Sequence, residues 1–302
     1  MNRTKIDWAD YSWNPMTGCL GPDERGPCSY CYAKRIATRF GADTYYFDGA
    51  YPDRPHLHYI RLNIEDEFID LNFKDRNGYP MELGNLECRS LYPFNFEPTF
   101  HEYRLSEPQW VKKPSRVFVG SMGDTFGSWT PDEWIAKICE ACDKAPQHQY
   151  LFLTKNPMRY RCLVPVFDKY LPPSLKWGAR PNWWLGATFD TAGNTSTFCH
   201  HLGEIKARGY HTWASAEPLL EDIAPIMDWA AIDWLVIGAL TGPGAKNRQP
   251  DFKWIESLTD GAILHGVPVF HKKSLASFYW PLPRLQQYPK AMMAKPQDDK
   301  TL

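Results

Sequence analysis

Three cysteines, Cys19, Cys28 and Cys31, are crowded into one short segment, with eight residues in the first gap and two in the second. Thiolates this close in sequence can converge on one centre from a single loop. Soft sulfur donors of that kind select iron–sulfur clusters, zinc or copper. A structural zinc takes a fourth protein ligand, and no further cysteine or histidine follows before His56. A cubane cluster held by three cysteines leaves one iron open to a substrate or cofactor. The rival reading is three unliganded buried cysteines; neighbouring thiols on a surface loop oxidise too readily to favour it.

Composition bounds the rest. The chain has 302 residues, 34 basic and 35 acidic side chains, 43% hydrophobic and 23% charged residues. That is ordinary for a globular protein and argues against disorder. A net charge of −1 excludes a generic electrostatic nucleic-acid binder, while a local basic groove stays compatible. At ~150 residues per domain the length suits two domains or one α/β barrel. No apolar run approaches the ~20 residues of a membrane span; the longest, 234–240, is too short. The segment Met1–Trp8 has no apolar signal region, so the expectation is a cytoplasmic protein. Its eight cysteines are then expected as thiols or ligands, not disulfides.

The elements that must position the cysteines begin after residue 110. Apolar segments at 116–120, 149–153, 183–187, 211–215, 234–238 and 267–270 each end in small or polar residues. Continuous runs of this length predict parallel strands buried on both faces. Helices are expected between them. Thr130 is placed to cap a helix with Pro131 in its first turn, carrying Trp134, Ile135, Ile138, Cys139 and Cys142 at helical spacing. A second helix is expected after Pro250-Asp251. The alternation predicts an α/β fold with a parallel sheet, open or closed into a barrel. A further strand near 11–15 would precede the cysteine loop.

Residues 41–110 carry scattered aromatics, six prolines and little periodicity. They are expected to form a long insertion that is either functional or separately folded. The organisation expected is therefore a barrel over residues 1–280, including the 41–110 insertion as irregular or small separate structure. A Pro-, Gln- and Lys-rich surface tail is expected over 281–302.

The motifs Trp13-Asn14-Pro15-Met16-Thr17-Gly18-Cys19 and Cys28-Ser29-Tyr30-Cys31-Tyr32-Ala33 resemble the opening of a phage-associated family with radical-SAM-like cysteines. Further matches lie at 118–124 (Phe118 to Asp124), 153–157 (Leu153 to Pro157), 215–219 (Ser215 to Leu219), 241–245 (Thr241 to Ala245) and 266–268. The resemblance runs from about Lys5 to Lys273. Within 41–110 it is patchy, chiefly at Phe100-His101-Glu102-Tyr103-Arg104-Leu105.

The resemblance implies a partial (β/α) barrel of the radical SAM type with a long insertion after the cluster loop. It implies a [4Fe–4S] cluster on Cys19, Cys28 and Cys31, with S-adenosylmethionine on the open iron and Tyr30 near the adenine. An electron donor such as a flavodoxin or ferredoxin is implied as partner. Two departures stand out. The superfamily's usual cysteine gaps are three then two residues, not eight then two. Relatives carry a glutamate in Gly-Gly-Glu-Ser-Gly-Pro-Gly where this chain has Gly238-Ala239-Leu240-Thr241-Gly242-Pro243-Gly244, and a Gln-Trp pair where it has Lys273-Ser274.

Active-site groups of parallel barrels sit at the C-terminal ends of strands. That rule nominates Ser121, Met122, Gly123 and Asp124, then Lys155, Glu217 and Gly238, as cofactor-binding residues. In the superfamily the first of these segments holds the methionine amino group. Each has a plain alternative: Asp124 as a turn cap, Lys155 as a solvated lysine, Glu217 in a structural salt bridge. Gly242-Pro243-Gly244 reads equally as a tight turn. Cys139 and Cys142, with Cys88, Cys162 and Cys199, read as core cysteines more than as a second cluster. His56, His58, His200 and His201 lack convincing ligand spacing. The tryptophans are expected mostly in the core.

Phage association and a distant likeness to DNA-photoproduct repair enzymes point to a nucleobase or nucleic acid as substrate. A small metabolite or peptide stays open beside it. The opposing class of function is a non-catalytic zinc- or cluster-containing nucleic-acid-binding protein.

Overall fold

The computed structural model describes residues 1–22, 26–40, 58–62, 68–74, 80–82, 92, 94–161, 180–276 and 284–293. In chain order the first strands are β1 (Asn2–Arg3), β2 (Tyr11–Trp13), β3 (Met16–Thr17), β4 (His58–Leu62), β5 (Phe68–Lys74), β6 (Pro80–Glu82) and β7 (Thr99–His101). The expected apolar segments then supply β8 (Arg116–Val119), β9 (Gln149–Thr154), β10 (Trp183–Thr188), β11 (His211–Ala216), β12 (Leu235–Ile237) and β13 (Val269–His271). They form one α/β sheet in the order β1-β2-β8-β9-β10-β11-β12-β13. Every pairing from β2 to β13 is parallel, and only β1 is antiparallel.

Because side chains alternate along a strand, each strand feeds two cores. Val117, Val119, Tyr150, Phe152, Leu185, Ala214, Leu235 and Val269 belong to a cluster shared with the helices Asp132–Asp143, Ala192–Lys206 and Phe252–Leu264. Phe118, Leu151, Trp184, Trp213, Val236 and Phe270 face the other way, into a cluster with Trp8 and Trp234. Trp8, from the segment before β2, packs on Phe118 and Trp213 with ring centroids 4.7 and 5.1 Å apart. Burial on both faces explains why these strands lack polar alternation.

The sheet curls on itself. Asp7 lies before β2 and Lys273 after β13, at opposite ends of the strand order, yet the Lys273 amide donates to Asp7 Oδ2 at 2.6 Å. Among the described residues no ladder joins β13 to β1 or β2, so the barrel stays open. Over residues 284–293 the expected surface tail keeps most residues exposed but is docked on the sheet. His271 N–H donates to Leu285 O at 2.7 Å, Trp234 Nε1 donates to Gln287 O at 2.9 Å, and Met292 is buried in the tryptophan cluster. The reason is the free edge of β13, whose backbone groups need partners.

One more local reading changes and one holds. The helix Asp132–Asp143 starts with Pro131, not Thr130, at its N-cap, and Thr130 Oγ1 reaches Asp124 O instead at 3.4 Å. The helix Phe252–Leu264 begins after Asp251, whose carboxylate accepts from Lys253 N–H at 2.9 Å. The described strands of the 41–110 insertion, β4 to β7, join β3 in a second sheet ordered β3-β7-β4-β5-β6. Its β3–β7 pair, Met16 opposite Phe100, ties the approach to the cysteine loop to both sheets. Among the described residues no helix is long and apolar enough to cross a membrane. His56, Cys88 and Cys162 lie outside the described residues.

The tryptophan layer leaves no room for added volume at Gly186. A Cβ there would lie 2.3 Å from Trp213 Nε1, and that indole is pinned by bonds to Phe152 O and Trp184 O at 3.0 and 3.2 Å. Gly186→Ala is expected to lower stability by about 1–3 kcal/mol, read from the urea-denaturation midpoint. An unchanged midpoint would show that the indole can move aside.

Candidate metal and cofactor centre

The cysteine loop is built by backbone ties on both sides. Gly18 N–H donates to Met122 O at 3.0 Å and Cys19 N–H to Phe96 O at 3.1 Å. Gly18 also bridges Gly123 at the end of β8. Glycine is required at this crossing: Gly18 has φ +82°, and a Cβ on Gly123 would lie 2.7 Å from Gly18 O. The long first gap is pinched at its base. Gly26 N–H donates to Leu20 O at 2.9 Å, so the additional residues leave and return at nearly one point.

Cys28 and Cys31 close a turn through the Cys31 N–H to Cys28 O bond at 2.9 Å. Cys31 then sits directly before the helix Tyr32–Phe40, and its sulfur accepts from Lys34 N–H at 3.4 Å. That is an N-cap in which sulfur replaces the usual oxygen, and the helix dipole favours negative charge there. Cys19 Sγ likewise accepts from Gly21 N–H at 3.3 Å. The helix packs through Ala33 and Ala37, one turn apart, against Tyr92 and Met122. Small residues on that face let the helix lie close to the end of β8.

All three cysteines line one cavity of about 320 Å³. Its other walls come from the C-terminal ends of the parallel strands, including Ser121, Gly123 and Asp124 after β8 and Lys155 after β9. Thr188 of β10, Ser215 and Glu217 of and after β11, and Lys272 after β13 complete them. Tyr30 lies among the cysteines on the same wall. Met122 is the exception within its segment: its side chain packs with Ala33 and Ala37. Gly238 is likewise not a wall residue, but it supports one. A Cβ there would lie 3.0 Å from Glu217 Cγ and 3.1 Å from Lys272 Cδ, so its absence makes room for that pair.

The charges inside the cavity are paired. Glu217 binds Lys272, which is the salt bridge foreseen as the alternative for that carboxylate. Lys155 Nζ lies 2.9 Å from Asp190 Oδ2, and the Tyr30 hydroxyl donates to the same oxygen. Lys155 also stands 5.2 Å from the centroid of the Tyr30 ring. Asp124 spans two turns, accepting from Phe126 N–H and Lys155 N–H at 3.0 Å each. It caps its own turn and fixes the end of β9, while burial raises its carboxyl above the ordinary range. Asn14 Oδ1 receives Ser121 Oγ at 3.1 Å and Met122 N–H at 3.0 Å. The Tyr32 hydroxyl donates to Ser121 O.

Asp190, Lys272, Tyr32 and Arg35 were not nominated from sequence. Asp190 and Lys272 each follow a strand end, so the strand-end rule could have found them. Tyr32 and Arg35 depended on the orientation of a helix that was not foreseen. Elsewhere, Cys139, Cys142 and Cys199 are buried in the helix-side core. His200 and His201 do have a neighbour that their spacing conceals: Glu204, at 3.8 and 3.6 Å, one helical turn on.

The donor set fits an iron–sulfur cluster. Burial pushes the thiols of Cys19 and Cys28 up, so thiolates there need a cation to neutralise them. Three sulfurs on one wall also face a cavity with room for a further ligand. Where Glu217 and Lys272 meet, each side chain is mostly removed from water, at 25% and 16% exposure. Lys272→Met is therefore expected to cost about 1–3 kcal/mol by stranding the carboxylate. The Glu217→Gln/Lys272→Met double variant should cost less than the sum of the singles, measured as a double-mutant cycle by chemical denaturation. Additive costs would mean the two groups do not interact.

Several solved structures are similar to this chain at TM-scores below 0.5. A spore photoproduct lyase double mutant with bound AdoMet and dinucleoside spore photoproduct is 10% identical, with TM-score 0.41 over 86% of this chain and 62% of that one. Spore photoproduct lyase complexed with dinucleoside spore photoproduct is also 10% identical, with TM-score 0.46 over 89% of this chain and 78% of that one. The chain thus spans less than two thirds of the first of these structures. Among curated proteins no sequence matches. A family model does match, over residues 3–279, and the chain therefore belongs to the protein family of unknown function DUF5131.

Proposed function

We propose that this protein is a radical SAM enzyme, with Cys19, Cys28 and Cys31 holding a [4Fe–4S] cluster. The observation that carries the reading is the shared cavity: the three cysteines face the polar residues at the C-terminal ends of the parallel strands. The motif resemblance supports it. When bound by Cys19, Cys28 and Cys31, such a cluster would supply one electron for reductive cleavage of S-adenosylmethionine and so give access to radical chemistry on a substrate.

The chain's own residues bind, orient and exclude water. Tyr30, held by Asp190, offers a ring face for the adenine. Glu217 offers a carboxylate to ribose hydroxyls or to the sulfonium region, with Lys272 paired to it as Lys155 is to Asp190. The 121–123 backbone, clamped by Asn14 and Tyr32, presents carbonyl groups toward the methionine end. Trp8 and Phe118 form an apolar wall that limits water around a reactive radical. A flavodoxin or ferredoxin supplies the electron in a reducing cytoplasm, and the substrate is a nucleobase or nucleic acid.

Anaerobically purified protein given dithionite and S-adenosylmethionine is expected to release 5′-deoxyadenosine, quantified by chromatography. Cys28→Ala should abolish it while leaving the far-ultraviolet circular dichroism unchanged. Equal product from the variant and the parent would overturn the reading. No product from either is the result expected of a zinc-containing, non-catalytic protein.

A further inference from the structure

The helix Ala192–Lys206 buries Phe198, Cys199, Leu202 and Ile205 against the core. Their spacing of three and four residues defines the inward face. Three chemistry-bearing side chains lie off that face. His201 sits at its margin with a side chain 10% exposed, Glu204 is half-buried at 30%, and His200 is turned outward at 66%. None of the three lines the cavity that holds the cysteines.

Helical geometry turns both rings toward one carboxylate. Residues three and four apart are neighbours on a helix surface, so Glu204 is reached by His201 from three positions back and by His200 from four. His200 Nε2 lies 3.8 Å from Glu204 Oε1, and His201 Nδ1 lies 3.6 Å from Glu204 Oε2. One nitrogen from each ring and one carboxylate oxygen all fall within 4.8 Å of one another. Around a tetrahedral ion with bonds of about 2.0–2.1 Å, ligand atoms stand about 3.4 Å apart. The two His–Glu distances are already near that value, and His200, the ring with most room to swing inward, is the exposed one. The plain alternative is a pair of ion pairs along the helix surface. With ring centroids 5.4 Å apart, that arrangement sets two like charges side by side once both imidazoles are protonated. A divalent ion takes neutral imidazoles with an ionised carboxylate, so all three donors are used without that repulsion.

We infer that His200, His201 and Glu204 form a binding site for a zinc-class divalent cation on the outer side of the barrel, with water completing the coordination. Two imidazoles and one carboxylate suit zinc, nickel or cobalt, whereas magnesium and calcium take oxygen donors. Zinc uses the same His₂Glu set in sites that keep a fourth position for water. The ion would bridge one turn of the helix near its C-terminal end. Because the unfolded chain holds no such constellation, binding favours the folded state. The site shares no residue with Cys19, Cys28 and Cys31 and does not depend on the radical SAM reading.

Calorimetric titration of the anaerobically purified full-length protein with zinc chloride tests the site. About one equivalent is expected to bind there. His200→Ala removes an exposed ring, and Glu204→Gln keeps the size of the side chain, so both variants should fold. Each should weaken that binding at least about tenfold, the cost of losing even an outer partner of a metal ligand. Cys28→Ala should retain it. Cobalt chloride difference spectra then report the donor atoms, with weak visible bands and no sulfur-to-metal charge-transfer band expected. Zinc should also raise the thermal midpoint of the parent more than that of His200→Ala. No binding, or binding indifferent to either helix variant, overturns the inference. So does a cobalt spectrum of sulfur ligation that Cys28→Ala abolishes, because the ion would then sit on the cysteines.

Discussion

The packing of Trp8, Trp213 and Trp234 inside the curled sheet is the constraint on which the rest depends. These rings occupy the concave side of the sheet, with Trp213 and Trp234 centroids 5.5 Å apart. Their bulk fills one side of the sheet, and the cavity is walled by the C-terminal strand ends. Alternation then decides which side chains meet that volume. Thr188, Ser215, Glu217 and Lys272 share the inward parity of Trp184, Trp213 and Phe270, while their neighbours face the helices.

Onto that end the chain brings its cysteines by a second route. β2 belongs to the large sheet and β3 to the small one, so the segment entering the cysteine loop is fixed at two places before Gly18 crosses Gly123. The electrostatics follow the same economy of position. Each carboxylate at the strand ends is met by a cation or by backbone N–H groups: Glu217 by Lys272, Asp190 by Lys155, Asp124 by two amides.

The six barrel strands were readable because parallel strands buried on both faces appear as continuous apolar runs, and the cysteine spacing was readable because loop ligands lie close in sequence. The second sheet was not, since β3 and β7 have two and three residues and are defined by pairing, with no pattern of their own. The docking of the 284–293 segment was not legible because it combines backbone bonds at the β13 edge with scattered side chains, Gln287, Tyr288 and Met292, that follow no period. Strand-end reasoning located Ser121, Gly123, Asp124, Lys155 and Glu217 at the cavity. It also swept in Met122, which turns to the Tyr32–Phe40 helix, and Gly238, whose contribution is space. Asp190, two residues beyond the end of β10, was within reach of the same rule and was not nominated.

The account's central claim is that three cysteines hold a cluster whose remaining iron faces a ligand cavity. Metal and acid-labile sulfide analysis of the anaerobically purified chain tests it most directly. About four iron and four sulfide per chain is the predicted result. Stoichiometric zinc without sulfide would contradict it.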